Sequence, residues 1–192
     1  MRSPTPRTPR QPASERAATE DQLSDEMAAV VTAARRRAQR DGDRQVDTAH
    51  LLHSLIEADP DVRTAFDGRT QLARVLGYLV QRSIGYGLRW QGSVEDSGAV
   101  PVLGGAPGAP RTGGSRAGGR EGESAGWSPA AAAAMDAALL RAGERGDGRA
   151  TGLDLLAELA GDRESRAVQV LEHAGVDPGA IGVRADELSQ QV

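Results

Sequence analysis

Apolar residues recur along this chain at the spacing of one face of an α-helix. The pattern fills residues 23–42 and returns in residues 127–146. A stripe with this period predicts an amphipathic helix that buries one side. Gly42 and Gly146 stand where the two helices should end, and Ser128, which precedes a proline, is a typical helix start. The positions on the stripes are 23, 27, 30, 31, 34 and 38, and 127, 131, 134, 135, 138 and 142.

More helices are expected after each stripe. Asp47 or Thr48 in the first segment, and Thr151 in the second, are suitable N-caps for a second helix that carries a Leu-Leu-x-x-Leu pattern. Its leucines are Leu51, Leu52 and Leu55, and Leu155, Leu156 and Leu159. Third and fourth helices are expected over 61–68, 69–84, 164–175 and from 177 onward. The pattern therefore predicts an all-α fold of two units with about four helices each.

The two units match each other in sequence. A shift of 104 positions places LSDEMAAVVTAARRRAQRDGD on WSPAAAAAMDAALLRAGERGD without a gap. Leu23 then falls on Trp127 and Ser24 falls on Ser128. With the same shift, VDTAHLLHSL meets ATGLDLLAEL. We interpret the two units as pseudo-repeats produced by an internal duplication.

Low-complexity segments divide the chain into parts. Residues 1–20 are rich in proline and arginine and are expected to form a disordered tail. Residues 91–126 are rich in glycine and proline, as flexible linkers are. The expected repeats are therefore residues 21–90 and 127–188. Limited proteolysis should cut first within 101–124 and leave two associated fragments.

Composition and charge exclude several classes of function. Cysteine is absent, which removes disulfides, thiolate catalysis and zinc–thiolate sites. Lysine is also absent, so a phosphate-binding P-loop is excluded. The formal net charge of -4 argues against a nucleic-acid partner. The start of the sequence has no signal-peptide pattern and no run of 18 apolar residues occurs, so we expect a cytoplasmic protein without a membrane partner.

Each unit resembles the repeat of the Clp N-terminal (Clp R) domain, which stands at the front of Clp-type AAA+ unfoldases. WSPAAAAAMDAALLRAGERG is similar to the opening of that repeat, and RAVQVLEHAGVDPGAI to its third helix and close. VDTAHLL is similar to the signature at the start of its second helix. The residues that carry this signature are Thr48, His50, Leu51 and Leu52, with Leu155 and Leu156 in the second unit. The resemblance implies that these residues are structural.

The resemblance also implies a function, which is to bind a protein or a peptide-like ligand. The positions it implies for ligand or partner binding are Ser24, Ala49, Ser128 and Leu153. In the family a glutamate precedes the signature histidine and helps to bind phosphoarginine. Ala49 and Leu153 stand in its place here, and Asp154 replaces the histidine in the second unit. We therefore expect weak binding of phosphoarginine, because no acid can pair with the guanidinium.

The implied partners are a Clp unfoldase, its adaptors or its substrates. The protein would then be an accessory or a regulator of Clp-dependent proteolysis. Alternatively, it is a decoy that sequesters ligands aimed at the unfoldase N domain, such as peptide antibiotics or marked substrates. A further alternative is an unrelated helical regulatory protein.

A few residues are candidates for a catalytic or metal site. His50, His53 and Glu57 lie at helical spacing and could offer metal ligands, but no fourth ligand is indicated. Ser54 adjoins His53, but neighbours on a helix point about 100° apart and form no dyad. We therefore expect no enzyme activity, no metal and no cofactor.

Two further features invited a functional interpretation. Arg35–Arg37 with Arg40 could contact nucleic acid, but cations near a helix C-terminus are expected to form a solvated face. Trp127 opens the second unit and is expected to pack on the core. Trp90 is either a cover for the first unit or an exposed contact residue.

Overall fold

The structure is a computed structural model that describes residues 23–83, residue 95 and residues 126–191. The expected tail over 1–20 lies outside these residues, as does Trp90. Of the expected linker over 91–126, only Glu95 and Gly126 are described.

The described residues form eight helices and one two-stranded sheet, so the predicted all-α fold is confirmed. The first half contains α1 (Asp25–Asp41), β1 (Gln45–Val46), α2 (Thr48–Ala58), α3 (Pro60–Thr64) and α4 (Gly68–Ser83). The second half contains β2 (Gly126–Trp127), α5 (Pro129–Arg145), α6 (Gly152–Gly161), α7 (Arg166–His173) and α8 (Pro178–Ser189). None of the helices in the described ranges is long and apolar enough to cross a membrane.

The predicted helix boundaries are set by the expected caps. Ser24 accepts a hydrogen bond from an amide in the first turn of α1, and Ser128 does the same for α5. Gly42 and Gly146 end the two helices in the left-handed conformation, with φ of 75° and 80°. Asp47 rather than Thr48 caps α2. Its cap and the cap of α6 are both capping boxes. These paired caps lie 104 positions apart, as the sequence match requires.

The third helix of the first half is shorter than predicted. It was expected over 61–68 but spans only Pro60–Thr64. Asp59 caps its start, and the proline that follows loses no hydrogen bond at the first helical position. Gly68 has a φ of 75°, which turns the chain into α4 before α3 can continue.

One hydrophobic core runs through both halves. The six leucines of the second helices are fully buried, which confirms the predicted stripes. The core also contains Met27 and Val30 of α1 and Ala131 and Ala138 of α5. The halves are further joined by the parallel pairing of β1 with β2. The halves therefore share one interior rather than forming two separate cores.

The arginine run at the end of α1 differs from the solvated face that was expected. Arg36 and Arg40 are exposed, but Arg35 lies over the ring of Trp127 at 5.5 Å from its centroid. Arg37 donates to Ser54 at 3.3 Å and also contacts Glu57. Half of the run therefore takes part in packing. Trp127 itself is partly buried and packs against the core, as expected.

Candidate functional site

A carboxylate from the sequence between the two halves is buried where three helices begin. Glu95 is 5% exposed, and its oxygens accept four hydrogen bonds. The backbone amides of Thr48 and Arg166 donate to them at 2.9 Å and 2.6 Å. The hydroxyl of Ser128 donates at 2.9 Å, and the hydroxyl of Thr48 is the fourth donor. We call these four donors the anion site.

Hydrogen bonds accepted from helix amides fix the direction in which both hydroxyls donate. Ser128 Oγ accepts the amide N–H of Ala131 at 3.1 Å, and Thr48 Oγ1 accepts the amide N–H of Ala167 at 3.0 Å. A hydroxyl carries a single proton, so each is left to donate toward Glu95. The anion site therefore presents donors only, which suits an ionised carboxylate.

The helix starts contribute to the site electrostatically as well. Thr48 is the first residue of α2 and Arg166 is the first residue of α7, so each offers an amide that no carbonyl of its own helix can reach. The positive end of a helix dipole also favours an anion. Two helix starts from different halves of the chain thus converge on one group.

A buried ion-pair network adjoins the anion site, and the two are connected through Arg166. Arg166 donates to Asp47 at 2.6 Å, and Arg82 contacts the same oxygen. His50 Nδ1 lies 2.8 Å from Asp47, and its Nε2 lies 3.3 Å from Asp43. Because Asp47 and Arg166 come from different halves, their ion pair holds the start of α2 next to the start of α7.

The charges of this network are set by burial and by its partners. Burial by itself raises the pKa of Asp47, but the bond to His50 and the charge of Arg82 outweigh burial and hold that pKa far below its usual range. Burial by itself lowers the pKa of His50, but hydrogen bonds to Asp43 and Asp47 outweigh burial and raise the pKa above 6.5. His50 therefore belongs to a buried ion-pair network with Asp43 and Asp47.

Asp43, Asp47 and His50 lie close enough together to be considered as metal ligands. The guanidinium of Arg82 already lies between the two carboxylates, contacting both. A cation in that position would meet a fixed positive charge at close range, which opposes metal binding. We therefore interpret the cluster as an ion-pair network.

His53 belongs to a different cluster from His50. Its Nδ1 faces Arg37 at 3.3 Å, and its Nε2 lies 3.1 Å from Glu57. Burial and the charge of Arg37 lower the pKa of His53 to about 4. Ser54 also contacts Arg37 rather than His53. The three residues considered as metal ligands therefore do not converge, and Ser54 and His53 form no dyad.

The start of α6 is the position in the second half that corresponds to Thr48. Here a carboxylate again lies close, because a Cβ on Gly152 would stand 2.1 Å from Asp59 Oδ2. Asp59 already caps α3 through its other oxygen, at 2.9 Å from the amide of Asp61. Burial raises the pKa of Asp59. The starts of α2 and α6 therefore both face a carboxylate. Of the two carboxylates, only that of Glu95 comes from the sequence between the halves.

A cleft of about 390 Å³ meets the anion site at Thr48. One wall is the alanine face of α5, which includes Ala133. The rest of the lining includes Leu159, Ser165 and the acidic residues Glu158 and Asp162. The cleft therefore combines the alanines of α5 with polar and acidic groups from the end of α6 and the residues that follow it.

The four residues expected to bind a ligand lie in different environments in the structure. Ser128 is part of the anion site, while Ser24 caps α1 and donates its amide to Ala150 at 3.1 Å, near the start of α6. The side chains of Ala49 and Leu153 are 0% and 3% exposed and belong to the core, so they do not present a surface to a ligand. Glu95 was not predicted from the sequence. Several other charged residues lie in the same segment, so nothing in the sequence distinguishes Glu95 from them.

The fold is similar to that of a solved structure from preliminary structural investigations of a malarial protein secretion system. The two chains are 12% identical and superpose with a TM-score of 0.54, over 89% of this chain and 97% of that chain. At this identity the similarity concerns the fold alone. No protein-family model matches the chain, and no curated protein matches it.

Proposed function

We propose that the protein is a non-catalytic protein-binding module, similar in role to the substrate- and adaptor-binding N domain of Clp unfoldases. In this proposal it is an accessory or a regulator of Clp-dependent proteolysis. Its partner is a protein that presents an acidic group on an extended segment. The sequence similarity of both halves to the Clp N-terminal repeat supports the choice of partner class.

The anion site is the observation that carries the binding role. It gathers four neutral donors from α2, α5 and α7 around one buried carboxylate. The four donors are placed to meet the two oxygens of one carboxylate. Hydrogen bonds to a charged acceptor are also stronger than hydrogen bonds between neutral groups, so the site favours an ionised carboxylate. The adjoining cleft offers an apolar wall on which the rest of a peptide can lie.

A binding role also agrees with the chemistry of the clefts and clusters. The two histidines of α2 are engaged in separate ion-pair clusters rather than facing a common reactive group. The hydroxyls that line the cleft, those of Thr48 and Ser165, already accept amide N–H groups from the first turn of α7. Polar groups held in this way can bind a ligand through hydrogen bonds.

Site-specific photo-crosslinking tests the proposal. A photoreactive residue at Ala133, which lines the cleft, should capture proteins of the Clp system from the source cell. Val80 is a matched control, because it is 50% exposed and lies on α4, away from the cleft. Identification by mass spectrometry should give a Clp unfoldase, an adaptor or a known substrate at position 133 alone. Equal capture at both positions would contradict the proposal.

A degradation assay with purified components gives the functional readout. The protein is added to the Clp unfoldase and peptidase of the same cell, and the degradation of a fluorescent substrate is followed. An accessory or regulator should change the rate at a concentration that saturates cross-linking. An unchanged rate at saturating concentration would contradict a role in Clp-dependent proteolysis.

A further inference from the structure

We propose that Glu95 is an internal ligand of the anion site, and that an acidic side chain of a partner protein must displace it to bind there. This inference rests on the proposed function, because it assumes that the anion site receives a partner. It adds a regulatory property: the chain carries its own competitor for the site.

The contacts of Glu95 are of a kind that another acidic residue can reproduce. The four hydrogen bonds described above end on its two carboxylate oxygens. They would be met equally by a glutamate or aspartate from another chain. The donors come from helix starts and capping hydroxyls, whose positions are fixed by α2, α5 and α7 rather than by Glu95.

The comparison with the start of α6 shows that Glu95 is a different kind of occupant. There the nearby carboxylate belongs to Asp59, which is held between α2 and α3 as the cap of α3. It cannot leave without breaking the start of that helix. Glu95 accepts the first amides of α2 and α7, but each of these helices also keeps its own N-cap, Asp47 and Ser165. Glu95 itself lies in none of the described elements. Of the two corresponding positions, the one at Thr48 is therefore the exchangeable one.

The cleft gives a displacing peptide a place to continue. Thr48 belongs both to the anion site and to the lining of the cleft. An incoming acidic side chain at Thr48 can thus be followed by backbone along the alanine face of α5. Glu158 in the lining is already paired with Arg141, so Asp162 is the acidic residue that favours a neutral or basic residue at the other end of that peptide.

Covalent attachment makes Glu95 a strong competitor. A group tethered through a short chain acts at an effective concentration on the order of mM. A partner that binds the empty site with a dissociation constant of about 10 μM would then bind the native protein about a hundredfold more weakly. Removing the carboxylate of Glu95 should remove this competition.

Peptide binding measured by fluorescence anisotropy tests the inference. The probe is a labelled peptide of residues 90–100, blocked at both ends, and its control has glutamine in place of the glutamate. The Glu95→Gln protein should bind the glutamate peptide at least about tenfold more tightly than the native protein does. The Asp96→Asn protein is the matched control, because it loses the same charge one residue later and should bind like the native protein.

The glutamine peptide should bind weakly to all three proteins. Equal affinity of the Glu95→Gln and native proteins for the glutamate peptide would overturn the inference. So would equal affinity of the two peptides for the Glu95→Gln protein. Such results would show that Glu95 is a fixed structural bond between the halves.

A second variant covers the case in which Glu95→Gln does not fold. Glu95→Asp keeps the charge but shortens the side chain by one methylene, so its affinity for the probe should lie between those of the native and Gln proteins. Circular dichroism reports whether each variant folds. If neither folds, Glu95 is an obligatory core residue and the inference is overturned. These peptide results do not involve the Clp system, so their failure is distinct from a failure of the cross-linking and degradation assays.

Discussion

At the residue scale, the start of α6 shows how tightly the halves are fitted to each other. Gly152 is buried, and the space that a side chain would need is filled by Asp59 and Val62 of the other half. Its φ is not in the left-handed region, so the reason for glycine here is close approach rather than backbone conformation.

Gly152→Ala should therefore destabilise the protein, by about 1–3 kcal/mol. The new Cβ would stand 2.1 Å from Asp59 Oδ2 and 3.0 Å from Val62 Cγ2, so both must shift. Gly161→Ala, in the same helix but with nothing within 4 Å, is the matched control and should not lower stability. Urea denaturation of the two variants provides the measurement. Equal midpoints would show that Asp59 can move away freely.

His50 should make stability decrease as the pH rises above about 6.5. Its folded pKa is raised above 6.5 by Asp43 and Asp47 against the effect of burial, so the folded state holds its proton more tightly than the unfolded state. This contribution is complete below about pH 6.5 and is lost as the pH rises through the folded pKa. His50→Gln should flatten the alkaline decline in unfolding free energy. His173→Gln, at an exposed position, should leave the decline as in the native protein.

His53 should act in the opposite direction and in a lower pH range. Its folded pKa is lowered to about 4, so between about pH 6.5 and 4 the unfolded state binds a proton that the folded state does not. Stability should fall as the pH falls through this window. His53→Gln should reduce the slope of unfolding free energy against pH there and leave the slope above pH 7 unaltered. An unchanged acidic slope would contradict the assignment.

Residue-level chemistry was the hardest part to predict from the sequence. The signature residues Thr48 and His50 were expected to be structural, and they do lie at the capped start of α2. Arg37 and Glu95 were not foreseen in their roles, because their partners lie 16 and more positions away in the sequence. Helical periodicity identifies which residues share a face, but it does not show what a long polar side chain meets across the fold.

At the element scale, capping residues made the helices predictable. Ser128, Gly42 and Gly146 all occupy the expected cap positions, and Ser24 caps α1 at the position matched to Ser128. These caps are local, since each bonds to an amide or carbonyl within a few residues. The short α3 was the exception. Its end is set by the turn at Gly68 rather than by a signal inside the helix.

The leucine stripes of α2 and α6 provide a test of the equivalence of the halves. Leu52 and Leu156 lie 104 positions apart, and both are fully buried. Leu52→Ala and Leu156→Ala should each lower the unfolding free energy by about 2–5 kcal/mol. Leu140→Ala, at a residue that is 69% exposed, is the control and should cost less than about 0.5 kcal/mol. A small effect at either buried leucine would contradict the matched packing of the halves.

At the scale of the whole molecule, the halves depend on each other. The core is continuous, β1 pairs with β2, and Leu23 forms a bridge with Ala150. Arg166 and Asp47 make a buried ion pair between the halves. Breaking such a pair leaves a buried charge without its partner, which typically costs about 3–5 kcal/mol. The internal match in the sequence indicated two units, but it could not show that they share one interior.

The halves should therefore remain together after the chain is cut between them. A specific protease site inserted after residue 110 allows cleavage of the folded protein. The cleaved protein should elute as one species in size-exclusion chromatography and should separate only in denaturant. Adding Asp47→Asn should lower the denaturant concentration at which the fragments part. Separation of the fragments in native buffer would contradict a shared core.

The pairing of β1 with β2 also has a consequence for the length of the sequence between the halves. In the unfolded chain, residues 46–125 must close into a loop before Gln45 can meet Gly126, and this closure costs conformational entropy. The cost grows only with the logarithm of length, so doubling the connection adds about 0.6 kcal/mol. Evolution can therefore lengthen or shorten the stretch after Glu95 almost without penalty. The stretch between α4 and Glu95 does not have that freedom, because it sets how far the carboxylate can reach.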